Sequence, residues 1–324
     1  MALKPQSEAH GFQIEAGIVG RKKGHAFEKL LADAINILDL KTIPNNSLQH
    51  VETGNPAALL LGYIEQKRRL KIEKVKARWL GGLATARDGD VLLDDNGKII
   101  KGFKSDILLD VTTPDNLIQI GVSVKTCNNK TPTNAQMFFT TARAFCQLLL
   151  HNGIHCSESA IEAMSMFCGD AGHTPLERMT PNELRCRKSD PRRYYWEELP
   201  QKAQDEWKDI FMNYQDEISL LLFQKAYRDD PFSPEFLLHQ TTKYESFDNC
   251  TVALFTMAEI IALSRRHSRF VLSPYVIRKG TYKNDPATHS APRFGFIQFQ
   301  RGGQKQHPTQ LQFNLKAGYF NHLP

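Results

Sequence analysis

Ser105-Asp106-Ile107-Leu108-Leu109-Asp110-Val111-Thr112-Thr113-Pro114-Asp115-Asn116-Leu117-Ile118-Gln119-Ile120-Gly121-Val122-Ser123-Val124-Lys125 reads as two strands joined by a tight turn. Proline presets the backbone angle of a turn's second residue, and Asp and Asn favour the bend that follows it. With Pro114 and Asp115 at the turn centre, antiparallel partners have numbers that sum to 229, so Asp106 faces Ser123. Side chains alternate along a strand with period two, so Ser123 and Lys125 share a face. A carboxylate and a lysine thus meet among Ile107, Leu108, Leu109, Val122 and Val124. Charge in such company needs a partner ion or a metal. A plain cross-strand Asp–Lys pair and a catalytic pair both meet that need.

Around the hairpin the apolar spacing changes period. Phe27, Leu30, Leu31, Ala34, Ile35 and Leu38 predict a helix from Gly24 to Leu38. Asn55-Pro56 predicts the start of a second, running to about Trp79 and ended by Gly81-Gly82. Strands are expected at Val91–Leu93, Lys98–Ile100, Ser105–Val111 and Leu117–Lys125. Further helices are expected over Asn134–Leu150, Glu158–Phe167, much of Trp196–Tyr227 and Cys250–Leu263, with an exposed connection between them at 170–194. Phe270–Ile277, Arg293–Gln300 and Leu311–Lys316 return to strands. This order points to an α/β or α+β domain. One domain over 1–324 is expected, with its core at about 20–155 and added helical and C-terminal elements at about 156–324.

The chain has 324 residues, 41% of them hydrophobic and 23% charged, which excludes wholesale disorder. No apolar run reaches the ~18 residues of a membrane span, and the first residues lack the apolar stretch of a secretory signal. Six cysteines without a CxxC pair exclude a zinc ribbon, and a cytoplasmic protein with reduced thiols is expected. The net charge of +6 is mild, but its placement is uneven. Seven cations stand against two acids from Glu65 to Arg78, and four cations against none from Pro286 onward. Concentrated positive charge points to a polyanion, because binding phosphates releases counterions. A solvated helix face and a polar tail explain the same charges.

Asp106 followed by Ser123-Val124-Lys125, behind a glutamate-bearing helix, resembles the PD-(D/E)XK nuclease superfamily, with Ser123 where an acid is usual. Three further stretches resemble type II restriction endonucleases: Arg21-Lys22-Lys23-Gly24-His25-Ala26-Phe27-Glu28, Trp196-Glu197-Glu198-Leu199-Pro200, and Phe299-Gln300-Arg301-Gly302-Gly303 followed by Leu311-Gln312-Phe313. The resemblance implies a restriction-endonuclease-like mixed central sheet flanked by helices, with helical and β-hairpin decorations. It implies a catalytic set of Asp106, Ser123, Lys125 and Glu28. Mg²⁺ would be held by Asp106, Glu28 and the Val124 carbonyl, with Glu28 replacing the missing strand carboxylate. The tandem Pro114-Asp115 lies inside the turn and is not the expected acid. Asp110, on the face of Asp106, is a minor candidate.

The implied substrate is double-stranded DNA with a short, palindromic site, cut by a homodimer whose twofold axis matches the palindrome. Lys67, Arg68, Arg69 and Lys71 suit phosphates, which position but do not specify. Gln300, Arg301, Gln304, Lys305 and His307 suit bases, since Gln pairs with adenine and Arg or Lys with guanine. Arg192 and Arg193, before Tyr194 and Tyr195, fit a loop clasping the duplex. The alternatives are a nuclease fold kept only for DNA binding and a structure-specific repair or RNA-processing nuclease.

Overall fold

The structure is a computed structural model that describes residues 24–81, 100, 102–187, 191–226, 230–275, 289–301 and 310–322. In chain order the elements are α1 (24–37), β1 (Val51–Gly54), α2 (Pro56–Arg68), β2 (Lys74–Trp79), β3 (Ile107–Thr112) and β4 (Leu117–Thr126). Next come β5 (Ala135–Thr141), α3 (Ala142–His151), α4 (Glu158–Cys168), α5 (Pro175–Arg178), α6 (Pro181–Cys186), α7 (Gln201–Asn213) and α8 (Gln215–Gln224). The chain closes with β6 (Phe236–Gln240), β7 (Cys250–Thr256), α9 (Met257–Arg265), β8 (Phe270–Tyr275), β9 (His289–Phe294), β10 (Ile297–Arg301) and β11 (Gln310–Leu315). This is a mixed α/β architecture with two sheets.

The described residues fall into two compact units, one from 24–135, 220–263 and 316–322, the other from 136–219 and 264–315. Strands β6 and β7 return from late in the sequence to complete the first unit's sheet.

That sheet has six strands in the order β1-β7-β6-β4-β3-β2. Only the β4–β6 pair is parallel; the other pairs are antiparallel. The predicted hairpin register holds along its length, from Ile107 opposite Val122 to Thr112 opposite Leu117, pairs that each sum to 229. Ile107, Leu109, Val111, Ile120, Val122, Val124, Phe236, Leu238, Val252 and Leu254 form one core. Phe27, Leu31 and Ile35 from α1, with Leu60, Leu61, Tyr63 and Ile64 from α2, complete it. Burying side chains of this size stabilises by about 1.5–3 kcal/mol each before entropy is counted.

Gly121 is required where 232–235 crosses β4. A Cβ there would lie 2.3 Å from Ser105 Oγ and 2.8 Å from the Ser233 carbonyl oxygen. The approach is locked by Ser105 Oγ donating to Phe232 O (2.6 Å) and Glu235 N donating to Gly121 O (2.8 Å). Gly121→Ala is expected to destabilise by about 1–3 kcal/mol, as overpacking does. A urea midpoint equal to wild type would contradict this close approach.

The second unit's sheet runs β5-β11-β10-β9-β8. An aromatic core of Phe145, Phe167, Trp196, Trp207, Phe211, Phe294, Phe299 and Phe313 fills it.

Several expected elements change type. The helix beginning at Asn55 ends at Arg68, where Arg69 adopts a left-handed cap (φ 52°). Lys74–Trp79 is instead an edge strand, and Lys74, Lys76 and Arg78 are its exposed alternate residues. Cations on an edge discourage strand addition from another chain. Residues 135–141 are strand β5, and the helix starts only at Ala142, capped by Thr141 Oγ1. Cys250–Thr256 is strand β7, and α9 begins after Thr256, whose Oγ1 accepts from Glu259 N. The connection at 170–194 carries α5 and α6. The strand predicted at Val91–Leu93 and nearly all of that at Lys98–Ile100 lie outside the described residues.

Candidate active site

The site forms in the first unit, where β3 begins and β4 ends. Asp106 Oδ2 accepts from Val124 N (2.6 Å), Ser123 Oγ (3.2 Å) and Lys125 Nζ (3.3 Å). Lys125 Nζ also donates to Ser123 Oγ (2.9 Å) and to the Val124 carbonyl (2.8 Å). The three protons of the ammonium therefore have three acceptors. The Asp106 and Lys125 side chains are only 14% and 16% exposed, so their attraction is less screened than that of a surface pair. The hairpin register alone brings these groups together.

Glu28 arrives from α1. Its position follows from the apolar spacing that buries Phe27, Leu31 and Ile35, and its carboxylate accepts from Trp79 Nε1 at 3.1 Å. Burial, and then the negative charge of Asp106, push its pKa from 4.5 up to about 7; the Trp79 bond and Lys125 oppose the rise. Two carboxylates that repel one another, one of them sharing the Lys125 ammonium with the Val124 carbonyl, are the kind of oxygen donors a hard divalent cation takes. Among the described residues no group of three or more His, Cys, Asp or Glu gathers for a metal. Two carboxylates and a carbonyl fit an ion such as Mg²⁺, which keeps several of its own waters.

Glu28 gives a pH-dependent prediction for the metal-free protein. Between pH 4.5 and about 7 the folded state holds a proton that the unfolded state has released. The contribution of Glu28 to stability is therefore greatest below about pH 4.5 and is lost as pH rises to about 7. Glu28→Gln is expected to remove this decline. Thermal midpoints in EDTA across that range check it, and equal slopes in both proteins would place Glu28 away from the charge of Asp106.

Two buried groups at the site were not legible in the sequence. Lys104 is 8% exposed, and burial, then Lys125, lower its pKa to about 7. Its backbone N–H donates to Asp230 Oδ2 (2.8 Å). His239 on β6 is the register partner of Lys125 and is 1% exposed. Burial, then Lys125, hold its pKa down at about 3. Asp110 is occupied elsewhere, by Arg78 (3.3 Å) and Gln119 Nε2 (2.8 Å).

The residues expected to read DNA are placed differently. Lys67 pairs with Glu259 (2.7 Å), Arg68 with Glu235, and Lys71 with Glu65 (3.2 Å), while Arg69 caps the helix end. They do not continue one basic helical face, because the helix ends among them. Arg301 is 7% exposed and its charge acts on Asp170 and Cys168 inside the second unit, so it is not an open base-reading side chain. Gln300 is half-buried on β10, opposite Gln312. Arg193 is buried with its guanidinium 4.4 Å from the Tyr195 ring centre, and Arg192 is half-buried. Gln304, Lys305 and His307 lie outside the described residues.

No family model matches the chain, and no curated protein matches it. Among the described residues no helix is long and apolar enough to cross a membrane.

Proposed function

We propose that the protein is a Mg²⁺-dependent endonuclease of the restriction type, hydrolysing phosphodiester bonds in double-stranded DNA at a specific short sequence. The observation that carries the reading is the meeting of Asp106, Ser123, the Val124 carbonyl and Lys125, with the charge of Asp106 acting on Glu28. Asp106, Glu28 and the Val124 carbonyl would hold the cation. When bound, it supplies polarisation of a phosphoryl oxygen and a more acidic water.

The chain's own residues do the rest. Lys125 directs its ammonium to where negative charge grows on the phosphate and orients the attacking water. Ser123 Oγ accepts from that ammonium, and before a cation binds Asp106 holds it as well. Asp106 is held in turn by Val124 N, which fixes the carboxylate against the strand. Trp79 Nε1 donates to Glu28 and restrains its carboxylate. Symmetric cutting of a palindrome calls for a twofold homodimer.

Purified protein incubated with plasmid in Mg²⁺ or in EDTA tests the reading. Discrete fragments in Mg²⁺ alone are expected. Retarded but intact DNA would favour a binding protein, and a smear without fixed bands would favour a structure-directed nuclease.

A further inference from the structure

Lys125 already spends its three protons on Asp106, Ser123 and the Val124 carbonyl. Two of those acceptors are the oxygens that the proposed function gives to a divalent cation. An ammonium deprived of them inside the protein needs another acceptor, because a buried unpaired charge is costly. His239 stands beside it. Strands β4 and β6 run parallel with Lys125 opposite His239, so both side chains leave the sheet on one face, about 5 Å apart at the backbone. His239 Nδ1 lies 3.4 Å from the Tyr319 hydroxyl, and the two rings are parallel within 7°. Phe320 meets the imidazole edge-on. His239 Nε2 is buried and has no hydrogen-bond partner among the described residues. Leaving such an atom unpaired is costly, so its persistence here asks for a use. A cation alongside favours the tautomer with the proton on Nδ1 and a lone pair on Nε2.

We propose that His239 is a positioning residue whose Nε2 accepts the Lys125 ammonium when Asp106 and the Val124 carbonyl turn to a divalent cation. This rests on the nuclease reading of the same site. His239 thereby lets lysine and cation occupy the site together, where otherwise they compete for the same two oxygens.

Ca²⁺ and Mg²⁺ binding to the whole protein, followed by calorimetry and by the shift in thermal midpoint, tests the assignment without any turnover. His239→Leu removes the unpaired nitrogen, so its midpoint in EDTA is expected to equal or exceed that of wild type. Its affinity for either ion is expected to fall roughly 10–100-fold, as when a metal ligand's supporting partner is lost. His239→Gln keeps an acceptor at similar reach and is expected to bind ions like wild type. If the leucine variant does not fold, His239→Asn replaces it; its shorter amide is expected to show the same loss. Wild-type affinity in the leucine or asparagine variant would overturn the role of His239 alone. A wild-type protein that binds neither ion would overturn the nuclease reading and this inference with it.

Discussion

Asp106→Asn is expected to lower Mg²⁺-dependent DNA cleavage at least about 10³-fold while leaving binding to the same DNA in Ca²⁺ largely intact. Asp106 has two roles that one substitution separates. Its Oδ2 receives three hydrogen bonds, from Val124 N, Ser123 and Lys125, and these organise the end of β4. Asparagine keeps the shape and one oxygen, so most of this organisation survives. It loses the negative charge that would attract a cation and that faces Lys125. Asp106→Ala is the harsher change, since removing one partner of a buried ion pair costs about 3–5 kcal/mol and confounds folding with chemistry. Cleavage by the asparagine variant at near the wild-type rate would remove Asp106 from the reaction.

Lys125→Met is expected to abolish cleavage to a similar degree through a different route. Methionine keeps most of the aliphatic length but has no ammonium to meet the charge developing on the phosphate. Lys125 also opposes the rise in the Glu28 pKa, so its removal is expected to move that pKa further upward. The metal-free decline in stability with pH should then extend above about pH 7. Lost cleavage with an unchanged pH–stability profile would place Lys125 away from Glu28. A variant that still cuts would make the Asp106–Lys125 pair a structural one.

The hairpin was legible because one turn set its register. Thr113-Pro114-Asp115-Asn116 determines which residues face one another, and Asp106, Ser123 and Lys125 follow from counting. Glu28 was legible from the helical spacing around it, though its placement at the site also required the resemblance. His239 was not legible. Phe236–Gln240 is only five residues long and buried throughout, so it shows no alternation, and its partner β4 lies more than a hundred residues earlier. Lys104 precedes the hairpin and takes its position from the contacts of Lys104 and Ser105 with Asp230 and Phe232, another long-range pairing.

The errors of element type share a cause. Lys67–Arg78 is rich in helix-forming Lys and Arg, yet Lys74, Lys76 and Arg78 repeat with period two, and strand pairing with β3 overrides propensity. Cys250–Leu263 joins a strand to a helix. Thr256 and Glu259, spaced as a capping pair, mark the junction. Arg301 stands in a stretch of Gln298, Gln300, Gln304 and Lys305 whose side chains suit bases, and tertiary packing, which the stretch does not reveal, buries it.

Manganese anomalous diffraction from crystals of the wild-type protein tests the proposed centre most directly. A peak is expected within about 2.5 Å of an Asp106 carboxylate oxygen and of the Val124 carbonyl, with Glu28 turned toward it. A fully occupied Mn²⁺ elsewhere, with Lys125 still bonded to both oxygens and no density between them, would contradict it.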